Sequence, residues 1–252
     1  AYFLLQPDAF GPLALSAAAA VISAANLLFY FESGYWDTSA ELKPLLHLWS
    51  LGVEEQFYLF WPAVVICLTT ARSIVYRWGL LAIFLISLLI CIRYTASDST
   101  ASFYLLPFRA WQFALGAIAL EVWQNYSSTE FSRQTLRSFG LALCGISIVA
   151  FSESTPFPGW LALIPSVGAA LVLASAHEIS GSIWLSNPVA RKLGELSYSL
   201  YLIHWPPIAL YRHYSFADLT LEIKAGLAVL IIVLTLILHY GIERKFYRRG
   251  HH

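Results

Sequence analysis

Charge is what this chain has least of. Only 12% of its 252 residues are charged, against 58% that are hydrophobic, and the mean hydropathy is +0.65. Soluble domains carry about 25% charged residues, so half of the usual solubilising charge is missing. That excludes a water-soluble fold and leaves an integral membrane protein. The 15 Lys and Arg residues balance the 15 Asp and Glu residues, and no basic tract occurs, which excludes nucleic acid as an electrostatic partner. Cysteine is scarce: Cys67, Cys91 and Cys144 lie far apart inside apolar runs and read as small buried residues rather than a disulfide framework. No metal-ligand spacing, phosphate-binding glycine loop, GxSxG elbow or CxxC pair is present, which disfavours an ATP-driven machine or a metalloprotease. Methionine is absent. With an opening, "AYFLLQP", that reads as the tail of an apolar segment, this leads to the expectation that the chain is a portion of a longer protein.

What is present is helical apolar sequence. Seven runs, near 48–68, 79–92, 105–122, 138–151, 160–176, 195–211 and 225–241, approach the roughly 20 residues that cross a bilayer. The expected fold is an all-α, polytopic transmembrane helix bundle of about seven spans. An eighth run at 11–31, Ala-rich and holding Ser16, Ser23 and Asn26, is expected either to span or to re-enter. Alternate loops hold Arg72, Arg77, Arg133, Arg137, Arg191, Lys192, Arg244, Lys245, Arg248 and Arg249, whereas the opposite loops hold Lys43, Arg93, Arg212 and Lys224. The bias of basic residues places the first set, and the C-terminal end of the sequence, in the cytoplasm. Trp61, Trp78, Trp111, Trp123, Trp160, Trp184 and Trp205 fall near predicted helix ends, and most are expected to be interfacial anchors.

Three polar patches interrupt these runs. In "KPLLHLWSLGVEEQFYLFWP" (43–62), a helix starting near Pro44 would align His47, Ser50, Glu54, Tyr58 and Trp61 in one stripe, with Glu55 turned about 100° away. A carboxylate in such a stripe is costly to bury unpaired and marks a pathway or site; it can orient a histidine or abstract a proton. In "LPFRAWQFALGA" (106–117), Arg109 can pair with Glu54, bind an anionic or oxygen-rich group, or snorkel. In "GELSYSLYLIHWPPIALYRHY" (194–214), Tyr201 and His204 interrupt a span that Pro206-Pro207 is expected to distort. Glu243, among the terminal basic residues of "HYGIERKFYRR", is expected to form a surface ion pair.

These blocks resemble the acyltransferase 3 family of bacterial inner-membrane acyltransferases. "GYWDTSAELKPLLHLWSLGVEEQFYLFWP", "LPFRAWQFALGA", "LGELSYSLYLIHWP" and "HYGIERKFYR" occur in the family's order, across residues 1–249. The resemblance implies one acyltransferase membrane domain over 1–252, re-entrant at 11–31 and lacking three upstream spans. It implies transfer of an acyl group, usually acetyl, from acyl-CoA to a hydroxyl of an envelope glycan such as lipopolysaccharide O-antigen, exopolysaccharide or peptidoglycan. No bound cofactor or metal is expected, and an esterase-like domain can follow in the full-length protein. The family's upstream arginine-and-histidine motif is not in this sequence, so the portion alone is expected to be inactive. Many members have glutamate where Gln112 stands. The expected catalytic residues are Glu54, His47 and Arg109, with Trp49, Ser50, Glu55, Tyr58, Tyr201 and His204 binding substrate. A glycan or lipid-carrier transporter without chemistry fits the composition and the broken helices equally well.

Overall fold

A computed structural model describes residues 7–33, 40–69, 73–125, 130–152, 155–175, 185–215 and 219–247. Arg72, Trp184, Arg248, Arg249, the 34–39 part of the outer loop and the side chain of Trp123 lie outside the described residues. Among those described, the secondary structure is entirely helical. The helices are α1 (Pro7–Val21), α2 (Ala25–Glu32), α3 (Trp49–Thr69), α4 (Ser73–Thr95), α5 (Ser99–Tyr104), α6 (Ala110–Asn125), α7 (Glu130–Ala150), α8 (Leu163–Ala174), α9 (Pro188–Ser215), α10 (Leu221–Leu238) and α11 (Arg244–Tyr247), with a π-helical turn at His239–Glu243. Over its described residues, each of the seven apolar runs is mainly helical. Three stretches, Leu46–Thr69, Val75–Thr95 and Leu221–Phe246, are long and apolar enough to cross a bilayer, and shorter apolar helices cover Ala9–Val21, Ala110–Val122 and Trp160–Ala174. This is an all-α membrane-type fold.

The chain divides into two compact units, Ala1–Gly52 with Ser180–His252, and Val53–Ile179. In the second unit, α7 and α8 cross where neither has a side chain. A Cβ on Gly140 would lie 2.6 Å from the Gly168 carbonyl oxygen, and one on Gly168 would lie 2.8 Å from that of Gly140. Small residues allow such backbone approach in lipid, where packing rather than water exclusion drives helix association. Buried Arg137 donates to the Ser175 carbonyl (3.0 Å), satisfying an acceptor that the end of α8 leaves open. Ser87 of α4 donates to the Pro107 carbonyl (2.6 Å) and accepts from the Trp111 amide (3.0 Å), closing an orphan donor in the first turn of α6. Trp111 is 0% exposed and packs with Cys91, Ala162 and Phe84. The interfacial role expected for it is thereby corrected, whereas Trp78 and Trp160 are exposed.

In the first unit, the 11–31 run is not one helix. Ser23, at φ 60°, breaks it into α1 and α2, both below the length that spans. α9 packs on α10 and begins with Asn187 accepting from the Ala190 amide (2.8 Å), a side-chain N-cap. α9 also runs as one helix through Pro206-Pro207. The prolines remove the donors of the Leu202 and Ile203 carbonyls, and membrane helices tolerate this where freed groups meet neighbours.

Candidate functional site

α3 starts at Trp49, not near Pro44; residues 46–48 form a 3-10 turn that carries His47. The reason lies on α9, whose residues 201, 204 and 205 share a face. Trp205 Nε1 donates to the Lys43 carbonyl (2.8 Å). The Tyr201 hydroxyl donates to the His47 carbonyl and lies 2.7 Å from Ser50 Oγ. These two anchors hold the approach to α3 in a conformation a continuous helix would not allow. They also undo the expected stripe: His47 and Ser50 belong to this cluster, whereas Glu54 and Tyr58 are exposed, Tyr58 at 66%.

His47 is 9% exposed, and neither ring nitrogen has a hydrogen-bond partner among the described residues. The ring meets His204 edge-on at 5.2 Å between centroids and Tyr201 at 5.4 Å. The Leu202 main chain, whose carbonyl is one of those freed by the prolines, lies against the ring. His204 Nδ1 lies 2.6 Å from the Tyr201 carbonyl. A carbonyl only accepts, so Nδ1 is the donor. Lys43 pairs with Glu32 (2.8 Å) and Arg212 with Glu41. Trp49, half-buried, opens α3 beside the turn.

In the other unit, Arg109 ends the turn 106–108 that precedes α6. Its Nε donates to Gln112 Oε1 (2.9 Å) and its Nη1 to the Phe103 carbonyl (3.4 Å), and Gln112 Nε2 donates to Ser166 Oγ (3.2 Å). The amide of Gln112 thus accepts from one neighbour and donates to the other, which a carboxylate could not do. Arg109 attracts Glu54 electrostatically, but no ion pair joins them among the described residues. Glu55 is half-buried, and the Phe57 and Phe113 rings stack at 4.0 Å.

One polar cluster escaped the reading of the sequence. Glu243 Oε2 accepts from the Ser199 hydroxyl and from His239 Nδ1 (2.9 Å), not from the adjacent basic residues; the expected surface pair is corrected. Arg244 and Lys192 lie instead over the Tyr240 ring, at 5.7 and 5.2 Å. The π-turn, one residue wider than an α-turn, brings His239 and Glu243 together beneath Ser199. The available signal was the i,i+4 pair of His239 and Glu243 inside an apolar run. An apolar groove of ≈ 430 Å³ lies alongside, lined by Tyr198, Leu202, Leu238, Ile242 and Phe246. No group of three potential metal ligands occurs among the described residues.

Residues 5–244 match the family described as "Acyltransferase domain". The chain belongs to this acyltransferase family. It is 29% identical to a protein of Komagataeibacter xylinus named as a membrane-bound transacylase, BcsY, over 96% of this chain and 61% of that protein. It is 30% identical to the peptidoglycan O-acetyltransferase OatA of Listeria monocytogenes (81% of this chain, 35% of that protein), and 25% identical to the O-acetyltransferase OatA of Staphylococcus aureus (84% and 37%). The chain therefore spans between about a third and three-fifths of the length of these relatives. No solved structure shows significant similarity.

Proposed function

We propose that this chain is the membrane part of an O-acyltransferase that moves an acyl group, typically acetyl, from acyl-CoA to a hydroxyl of an envelope glycan. The observation that carries the reading is the buried His47 ring, with both nitrogens unpartnered, against His204. A buried polar group without a partner is costly, and a polyhydroxylated acceptor supplies both the donor and the acceptor that the two nitrogens want. Membership of the acyltransferase family supports the reaction class, and the relatives' names support a glycan acceptor. Peptidoglycan, exopolysaccharide and lipopolysaccharide O-antigen are the candidate acceptors.

In this reading His47 orients the acceptor, Ser50 and Tyr201 hold the turn that presents it, and Trp49 lines its approach. In the other unit, Arg109 holds an anionic or oxygen-rich part of a substrate by charge-assisted hydrogen bonding. Glu54, Glu55 and Tyr58 act at the start of α3's apolar stretch, Glu54 as a carboxylate that activates or orients a polar partner. The protein sits in the bacterial inner membrane with residue 247 towards the cytoplasm, where acyl-CoA is available, and 11–31 dips in from the outside as a helical hairpin. Full activity needs the longer protein, which can also carry an esterase-like domain.

The test is isotope-labelled acetate fed to cells that express the full-length protein or its Glu54→Gln form, with labelled O-acetyl groups on envelope glycans counted by mass spectrometry. Label with the parent and a marked loss with Glu54→Gln is the expected result. Equal label in both removes Glu54 from the chemistry. No label above the host background with the parent removes acetyl transfer and favours glycan transport.

A further inference from the structure

We propose that the groove between α9 and the 238–246 stretch binds one anionic phospholipid, an acyl chain along its apolar walls and the phosphate at its basic end. The inference stands apart from the acyl-transfer reading. It needs only that Leu221–Phe246, long and apolar enough to span, crosses the bilayer. The walls fix the chemistry of the tail. Tyr198 and Leu202 of α9 line the space of ≈ 430 Å³ together with Leu238, Ile242 and Phe246, and Leu238 to Phe246 extends roughly 12 Å along its helix. Ser199 and Glu243 also line it, but they are engaged with each other, and Glu243 with His239 as well. A sugar or a peptide would bury its polar groups there at a cost, whereas a hydrocarbon chain has none to bury. Tyr198, Ile242 and Phe246 are 51%, 54% and 70% exposed. The groove therefore opens sideways onto the lipid, and a chain enters it without leaving the bilayer.

The basic end fixes the headgroup. Arg191, Glu195, Tyr198 and Leu202 recur at spacings of four, three and four, which places them on one face of α9, so the α9 wall of the groove ends on Arg191. Arg244 and Lys245 stand next to the lining residues of the other wall and, like Arg191, are exposed. Glu195, the exposed carboxylate among these cations, is held by Lys192 at 2.8 Å. Arg191, Arg244 and Lys245 thus remain as uncompensated positive charge. At the end of a membrane-crossing helix that charge meets the headgroup layer, where basic residues attract anionic lipids. Tyr240, 43% exposed with the Arg244 guanidinium over its ring at 5.7 Å, has the amphipathic character of residues at that depth. A phosphodiester with net negative charge supplies the missing anion beside an apolar chain, whereas a zwitterionic headgroup cancels its own.

The test mixes the full-length protein, purified in a non-ionic detergent, with phosphatidylglycerol or with phosphatidylcholine of the same acyl chains. Native mass spectrometry then counts the lipids retained per chain. The expected result is one phosphatidylglycerol held about tenfold more tightly than phosphatidylcholine. Arg191→Gln combined with Lys245→Gln leaves the walls intact and should bring the two lipids to equal retention. Ile242→Trp fills the groove at an exposed position and should cut the retention of both. Thermal unfolding in detergent without lipid accompanies each variant, and the Arg191→Gln, Lys245→Gln pair decides alone if Ile242→Trp does not accumulate. Equal retention of the two lipids by the parent overturns the proposal, as does a preference that survives unchanged in either variant. Palmitoyl-CoA that displaces phosphatidylglycerol at equal concentration assigns the groove to a thioester and overturns the lipid. A dimer that Ile242→Trp abolishes assigns it to a second copy and overturns the lipid too. Acyl transfer is decided separately, by the labelled-acetate measurement.

Discussion

Two histidine clusters flank α9, and they solve the same problem in opposite ways. Around His239, polar side chains meet one another inside the protein: the imidazole and the Ser199 hydroxyl both donate to the Glu243 carboxylate. Around His47, the hydrogen bonds go to main-chain carbonyls, while both ring nitrogens are left buried and unanswered. A satisfied polar network in an apolar setting fixes helices, whereas an unsatisfied one raises the energy of the resting protein. The difference sets side chains that tie helices together against a ring whose nitrogens the protein leaves open.

The largest effect expected in breaking this comparison is at His47. His47→Phe keeps an aromatic ring of similar size and removes the unpartnered nitrogens. Labelled-acetate incorporation should fall by at least tenfold while thermal stability holds or rises, since replacing an unsatisfied group by an apolar one is neutral or favourable. A fall in melting temperature without loss of incorporation would reverse the roles assigned to the two clusters. Glu243→Leu should do the opposite, leaving Ser199 and His239 without their acceptor and lowering stability by about 1–3 kcal/mol, with the rate per folded molecule retained. Tyr201→Phe lies between them. It should raise the acceptor concentration needed for half-maximal rate several-fold and cost about 1 kcal/mol, both readable from purified protein. Away from both clusters, Gly168→Val forces a side chain into the α7–α8 crossing, and overpacking of that kind costs about 1–3 kcal/mol; unfolding in detergent measures it. Lys192→Ala, at the exposed end of α9 over Tyr240, should change neither rate nor melting temperature measurably.

Much of this was legible in the amino-acid order. Hydropathy located all seven apolar helices because lipid-facing residues obey length and composition alone. Ser50, Tyr201, His47 and His204 stood out because polar groups are rare in such runs, and the structure gathers those four. What was not legible depended on contacts distant in the chain. Pro44 suits a helix start, but Trp205 and Tyr201, more than 150 residues away, hold the local backbone in another form. Pro206-Pro207 removes two backbone donors, yet α9 continues through both. Trp111 has the composition of an interfacial anchor, and only tertiary packing around Cys91 and Phe84 shows that it is core. Glu243 offered nearby arginines and a lysine as partners, and a π-turn redirected it.

Gly52 stands against the α1–α2 break: a Cβ there would lie 2.9 Å from Oδ1 of the fully buried Asn26 and 3.4 Å from the Ser23 carbonyl. A single methyl group at residue 52 therefore acts as a wedge whose thickness can be graded by substitution. Alanine asks the Asn26 side chain to move slightly, and valine asks the turn at Ser23 to move as well. Such a position is a natural source of conditional alleles. Gly52→Ala should lower the unfolding temperature in detergent slightly and Gly52→Val more, which grades the contact one methyl group at a time.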